Sequence, residues 1–336
     1  MVADIRRCLA GLLLALGLLP AGAQTALEVQ SRALMRASDA VLGLRAQAVD
    51  GARSVRTLGA ERQGSGVVIA PDGLVLTIGY LILEAETVEL VTDDDRRIPA
   101  RVIGYDVATG FGLVQALSPL LLEPVPLGNS AALKVDDALV MVSGGAAGAV
   151  GPARLASRRA FSGYWEYHVD GALFTAPARG DHSGAGLFNL QGELLGIGSL
   201  VVGDAFGPEA VRLPGNMFVP VDLLKPILAE LRERGSSRAS QRPWIGVNCV
   251  ETGGEIRIVR VTDDSPADVA GLQPGDRILR IDGVAVDKLE GLWKRLWSGS
   301  RAERAVDLEI ERDGKRETIT VQAVDRAYTL QRAQGI

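Results

Sequence analysis

A carboxylate, an imidazole and a hydroxyl stand side by side in Asp181-His182-Ser183, just before Gly184. A serine hydroxyl activated by a base is the chemistry such a group could perform. The base must come within hydrogen-bond reach of the hydroxyl. Neighbouring side chains in an extended or tightly turned segment diverge, so His182 reads first as a loop histidine and second as an unorthodox base. The chain's other histidine, His168, lies in a strand-like run, Tyr164 to Val169. Cys249 lies in another, Ile245 to Val250, where a buried free thiol is the default. The only other cysteine, Cys8, falls in a leader-like segment, so no intramolecular disulfide is expected. Nothing in the chain calls for a metal ion or a cofactor.

Short elements must position these groups. From about Ala40 to Val221 the chain is a series of β-type runs separated by glycine and polar turns: Gly66 to Ile69, Leu74 to Thr77, Thr87 to Val91, Ala138 to Val142 and Leu194 to Ile197. Such a series predicts a barrel or sandwich. Helical spacing follows over Val221 to Arg234, with Leu224, Ile227, Leu228 and Leu231 on one face. Gly235 to Ser240 has the composition of a flexible linker. A second set of strands is expected near Ile256 to Val261, Arg277 to Ile281, Val306 to Glu311 and Glu317 to Gln322. A helix-like segment, Asp287 to Trp297, falls between the second and third of these.

The 336 residues suffice for two or three compact units. Apolar residues make up 47% but aromatics only 4%, so aliphatic side chains must fill the cores. The net charge of −5 argues against a nucleic-acid partner, which would call for a basic patch or stripe. At the start, Arg6 and Arg7 precede an apolar stretch, Leu9 to Leu19, and the A-x-A-like Ala21-Gly22-Ala23. This pattern is that of an export signal cleaved before Gln24, with Sec and twin-arginine routes both open. The apolar stretch falls short of the roughly 20 residues a membrane span needs. A periplasmic or extracellular location is therefore expected, with no membrane span.

Several segments share order and spacing with one family. Gly64-Ser65-Gly66-Val67-Val68-Ile69 and Pro71 to Thr77 form one, and Gly104-Tyr105-Asp106 opens another. Asp181 to Leu187 with Asn189 to Ile197 is the third, and Met217 to Val221 closes the set. Together they resemble the protease domain of HtrA-type (Deg-type) serine proteases. The resemblance implies a mostly β fold, a trypsin-like pair of six-stranded barrels followed by a PDZ domain. It places Ser183 at the nucleophile position and Asp181 and His182 in the oxyanion loop. The position of the catalytic histidine falls at Tyr80 and that of the catalytic aspartate at Gly110. A phenol, with an ordinary pKa of about 10, keeps its proton at neutral pH and is a poor base. Glycine orients nothing. Asp181 also brings a carboxylate toward a site meant for a developing oxyanion.

Ser265 to Leu279, continued by Ile281 to Val286, resembles an HtrA-type PDZ domain. Arg242-Pro243-Trp244-Ile245-Gly246-Val247 resembles its carboxylate-binding loop, with Trp244 equally readable as an aromatic anchor. A peptide would add to the sheet edge beside the helix bearing Leu289 and Trp293. The expected divisions are a signal peptide over 1–23, a protease-homologue domain over 24–232, a linker over 233–241, a PDZ domain over 242–326 and a tail over 327–336. These features together predict an exported, catalytically inactive protease homologue that binds polypeptide C-termini or unfolded segments. The alternative is an active endopeptidase using Ser183 with a non-standard base. A third possibility is a regulator docking on an active protease relative. Oligomerisation stays open, since no aromatic lies between Gln24 and Tyr80.

Overall fold

The computed structural model describes residues 21–299 and 301–331. Nearly all of the leader expected over 1–23 lies outside them, as do the last five residues of the tail. A helix, α1 (Ala21–Asp39), leads into the first barrel. That barrel closes in the order β1 (Val41–Ala48), β2 (Glu61–Val68), β3 (Leu74–Ile78), β6 (Phe111–Ala116), β5 (Arg97–Tyr105) and β4 (Ala85–Val91). The second closes as β7 (Ala138–Val142), β8 (Val150–Ser162), β9 (His168–Ala176), β12 (Gly215–Pro220), β11 (Leu194–Val202) and β10 (Gly186–Phe188). Closure leaves neither sheet an open edge.

The barrels are filled as the aromatic-poor composition requires. Val67, Leu76, Leu90 and Leu113 pack with Phe111 in the first, and Leu155, Leu173 and Leu187 with Phe218 in the second, all buried. Each such side chain contributes about 1.5–3 kcal/mol of hydrophobic stabilisation.

The region after β12 departs from the expected single helix. Val221–Leu223 forms a 3-10 turn, and α2 spans only Leu228–Arg234. Pro226 lacks an amide proton and disfavours helical backbone before it, which breaks the element in two. Ser237 and Ser240, in the expected flexible linker, are both buried, and their hydroxyls donate to the buried Asp106 carboxylate. The connection is therefore fastened to the first barrel.

The third sheet has the order β13 (Pro243–Trp244), β19 (Lys315–Asp325), β18 (Arg304–Arg312), β16 (Arg277–Ile281), β15 (Glu255–Val261) and β14 (Val247–Thr252), and β17 (Val284–Ala285) pairs with β16. Helix α3 (Leu289–Leu296) covers it with Leu289, Leu292, Trp293 and Leu296 buried. Strand β14 is the last in this order, so one of its edges is free of sheet partners. Of the strand-like run Tyr164 to Val169, residues 168–169 begin β9, while residues 164–167 instead lie in the connection from β8 to β9 and cross to this third unit. Among the described residues no helix is long and apolar enough to cross a membrane.

Candidate functional site

Ser183 lies in the loop between β9 and β10, where the barrels meet. Its carbonyl accepts from Ser65 N at 2.8 Å. Tyr80 reaches it from the 3-10 turn Gly79–Leu81 at the end of β3. The buried guanidinium of Arg62 fastens that turn, donating to Tyr80 O at 3.1 Å and to Leu83 O. The Tyr80 phenol oxygen lies 2.8 Å from Ser183 Oγ and 2.8 Å from Ser199 O. A carbonyl only accepts, so the single phenolic proton goes to Ser199 and the Ser183 hydroxyl donates to the phenol oxygen. Burial pushes the Tyr80 phenol up to about 12, with the Ser183 hydrogen bond opposing.

Gly110 follows a turn closed by its own N–H donating to Asp106 O at 2.7 Å. Its φ of +83° suits glycine. A Cβ there would lie 2.9 Å from the Tyr167 phenol oxygen. Tyr167 donates to Thr109 O at 2.6 Å, so a tyrosine fills the space beside this position.

The oxyanion-loop residues are turned to other partners. Asp181 accepts from Arg179 Nε at 3.0 Å and from Ser143 Oγ. Burial raises its carboxyl, but the Arg179 and Ser143 bonds outweigh this and hold it below the usual range. This carboxylate, expected to face the oxyanion, is instead clasped by Arg179. His182 donates its Nδ1–H to Arg179 O at 3.2 Å, and burial lowers its pKa below the ordinary value. Among the described residues, Tyr80 is the side chain hydrogen-bonded to Ser183 Oγ. His168 sits away from Ser183, between Ser162 Oγ at 2.9 Å and Asp170 at 3.0 Å.

His168, Asp170 and Glu290 place ligand atoms within 4.8 Å of one another. The Lys294 ammonium bonds Asp170 at 3.0 Å and Glu290 at 2.7 Å and already supplies the cation there. A cleft of about 710 Å³ lies between the first barrel and the third sheet, lined by Glu84, Arg232, Ser240 and Tyr328 among others. Neither Ser183 nor Tyr80 lines it.

The second candidate site is the loop entering β14. Gly246 has φ +91°, and a Cβ there would lie 2.3 Å from the Ser265 Cβ, so only glycine fits. This backbone turns three amides toward one point. Ile245, Gly246 and Val247 donate to a single carboxylate, that of Glu166, at 3.2, 2.7 and 3.1 Å. Trp244 is not among the donors; it pairs with Val324 in the sheet. Leu289 and Trp293 are buried on α3, and Trp293 Nε1 donates to Gly163 O at 3.1 Å.

Comparison with known proteins follows the same division. A family described as Trypsin-like peptidase domain matches residues 64–197, and one described as PDZ domain matches 243–323. A probable periplasmic serine endoprotease DegP-like from Bartonella henselae is 27% identical over 271 residues, 77% of this chain and 52% of its own. The Brucella suis protein of the same description is 28% identical over 275 residues, with the same coverage. The chain therefore spans about half the length of these curated relatives. The HtrA-type protease AlgW with decapeptide superimposes with a TM-score of 0.54 at 19% identity, over 90% of this chain and 98% of that one. The serine endoprotease from Yersinia pestis gives 0.54 at 20%, over 88% and 97%.

The chain joins a trypsin-like peptidase domain to a PDZ domain and shares its fold with HtrA-type proteases. Within this HtrA-type framework, Ser183 and Tyr80 come together, Gly110 and Tyr167 face each other, and Asp181 and His182 turn away. Sequence reasoning missed Tyr167, Ser199 and Glu166. One signal was present: the chain has 4 Trp, 5 Tyr and 6 Phe, and four of these, Phe161, Tyr164, Trp165 and Tyr167, fall within seven positions.

The HtrA-type fold should not depend on the Ser183 hydroxyl. Ser183 is half-buried, and Tyr80 keeps its bond to Ser199 without it. Ser183→Ala should cost about 1 kcal/mol or less, lowering Tm by about 3 °C or less in calorimetry. A drop of many degrees would make the serine a structural hydroxyl.

Proposed function

We propose that this HtrA-type chain is an exported, non-catalytic protease homologue that captures polypeptide C-termini through its PDZ groove, with the barrels as scaffold. The observation that carries this is the hydrogen-bond chain from Ser183 through Tyr80 to Ser199 O. A general base works when its pKa lies near the operating pH. A phenol pushed up to about 12 and already committed to a carbonyl takes no proton from serine. Gly110 supplies no carboxylate to orient a base.

The names of the relatives favour the alternative, an active serine endopeptidase. That alternative needs His182 as base, and among the described residues the side chain hydrogen-bonded to Ser183 Oγ is Tyr80, not His182. Export accords with the periplasmic designation of the relatives and with the leader-like pattern of residues 1–23. Peptide capture accords with the three convergent amides of Ile245 to Val247, placed for an anion.

Two measurements test the proposal. Casein incubated with the purified chain should be cut no faster than with Ser183→Ala; cleavage above that control would restore the endopeptidase. In the Glu166→Ala chain, whose amide nest is vacated, a peptide ending in Gly-Tyr-Trp-Val should bind at least about 10-fold tighter as the free acid than as the amide, because amidation removes the charge the nest receives. Equal affinities by titration calorimetry would reject C-terminus capture.

A further inference from the structure

The nest formed by Ile245, Gly246 and Val247 is filled from within the chain. Glu166 comes from the β8–β9 connection of the second barrel, 80 residues from Gly246. The residues before it continue the contact. Tyr164 O accepts from Cys249 N at 2.6 Å, and Trp165 forms an antiparallel bridge with Asn248. Gly163 O accepts from Trp293 Nε1 on α3. The segment thus runs as an added strand along the free edge of β14, beside α3, and ends with a carboxylate in the amide nest. An extended peptide that augments a sheet edge makes the same set of contacts. Here a glutamate side chain stands where a peptide's terminal carboxylate would.

We infer that Gly163–Glu166 is a built-in ligand of the PDZ groove, so that the chain rests self-occupied and a C-terminal peptide binds by displacing this strap. The inference rests on the peptide-capture function proposed above. Each of the three amides has one proton, so a peptide carboxylate and Glu166 exclude each other. The tether gives the strap an effective concentration in the millimolar range, and a free peptide competes against that. The strap is nevertheless displaceable. Burial raises the Glu166 carboxyl to about 7 against its three amide bonds and the nearby Arg326. Release into water therefore returns hydration to a carboxylate that the groove holds at a cost.

Displacement also reaches the barrels. The Trp165 ring stacks on Tyr167 at 5.6 Å between centroids with an interplanar angle of 9°. Tyr167 in turn occupies the space beside Gly110. A peptide that lifts Trp165 removes the stacking partner of the side chain filling that space. Coupling of this kind is reciprocal: whatever tightens Tyr167 against Thr109 also tightens the strap.

The test compares the full-length chain with Glu166→Ala and with Glu166→Gln, which keeps the shape and one acceptor. The probe is a fluorescein-labelled peptide ending in Gly-Tyr-Trp-Val with a free carboxylate, followed by anisotropy. Glu166→Ala should bind it at least about 10-fold tighter than the parent, since the competent fraction rises, with Glu166→Gln between. In the peptide-free proteins, hydrogen exchange over residues 245–249 should be at least about 10-fold faster in Glu166→Ala, and added peptide should slow it again. A cooperative melt of each variant shows that it is folded. Equal affinity in parent and Glu166→Ala, or equal exchange without peptide, overturns the strap. Faster exchange in Glu166→Ala with no peptide binding by either chain keeps the self-occupied groove and rejects C-terminus capture instead.

Discussion

Ser183 should remain unmodified by a fluorophosphonate probe from about pH 6 to about pH 10. Such probes require a serine whose proton is withdrawn as the bond to phosphorus forms. Here that proton points at a neutral phenol. Burial raises Tyr80 to about 12, so the fold favours the protonated form, which persists through the whole window. Phenolate would appear only as the pH approached 12, losing the stabilisation that the neutral form enjoys. Loss of the base lowers turnover by on the order of 10⁶ in a dissected serine protease. Labelling should be slower than in a triad protease by a comparable factor, which intact-mass spectrometry reads as no adduct. Stoichiometric labelling of Ser183 in the parent chain would reject the non-catalytic function.

Tyr80→His alone should not recover labelling. An imidazole without an orienting carboxylate loses about 10⁴ in rate in a serine protease with its geometry otherwise intact. The carboxylate cannot simply be returned through Gly110→Asp. The backbone there has φ +83°, and the new Cβ would lie 2.9 Å from the Tyr167 phenol oxygen. A carboxylate at position 110 would require Tyr167 to move as well.

Asp106→Ala should be the most damaging single change to stability. The Asp106 carboxylate is fully buried and accepts from Thr109 N at 2.8 Å, Thr109 Oγ1 at 2.6 Å, and the Ser237 and Ser240 hydroxyls. Ser240 Oγ also accepts from Val107 N at 2.9 Å, so the cluster closes on itself. Hydrogen bonds to a charged group contribute roughly 1.5–3 kcal/mol each, and removing the acceptor strands several donors together. A loss of about 3 kcal/mol or more is expected, with Tm falling by about 10 °C in calorimetry. Limited proteolysis should then cut residues 235–241, which the parent protects. An unchanged melt with an intact connection would show that the serines do not fasten it.

The strands and the PDZ sheet were legible because their signals are local. Pro71-Asp72-Gly73 between Val68 and Leu74 makes its own turn, and β2 and β3 pair on either side of it. Cys249 lies buried in β14, as expected of a thiol in an apolar strand. The placement of Tyr80 and Gly110 follows from a related local signal. Tyr80 and Gly110 sit just past β3 and just before β6, neighbouring strands whose register carries both to the barrel's rim.

What the sequence by itself determined is the chemistry available at Tyr80 and Gly110: a phenol and a glycine have the same limited chemistry in any fold. What those groups touch was decided by the tertiary structure. Helical spacing over Val221 to Arg234 could not outweigh Pro226, and a serine-rich connection that composition marks as flexible found a buried acceptor on the first barrel. His182, adjacent to Ser183, turned to Arg179, while Tyr80, 103 positions away, reached the hydroxyl. In sequence Glu166 is one residue of the strand-like run Tyr164 to Val169, with nothing to mark its partners. A carboxylate's partners are set by which donors lie within about 3 Å of it. Only the packing of the second barrel on the PDZ sheet brings it the three amides of Ile245, Gly246 and Val247.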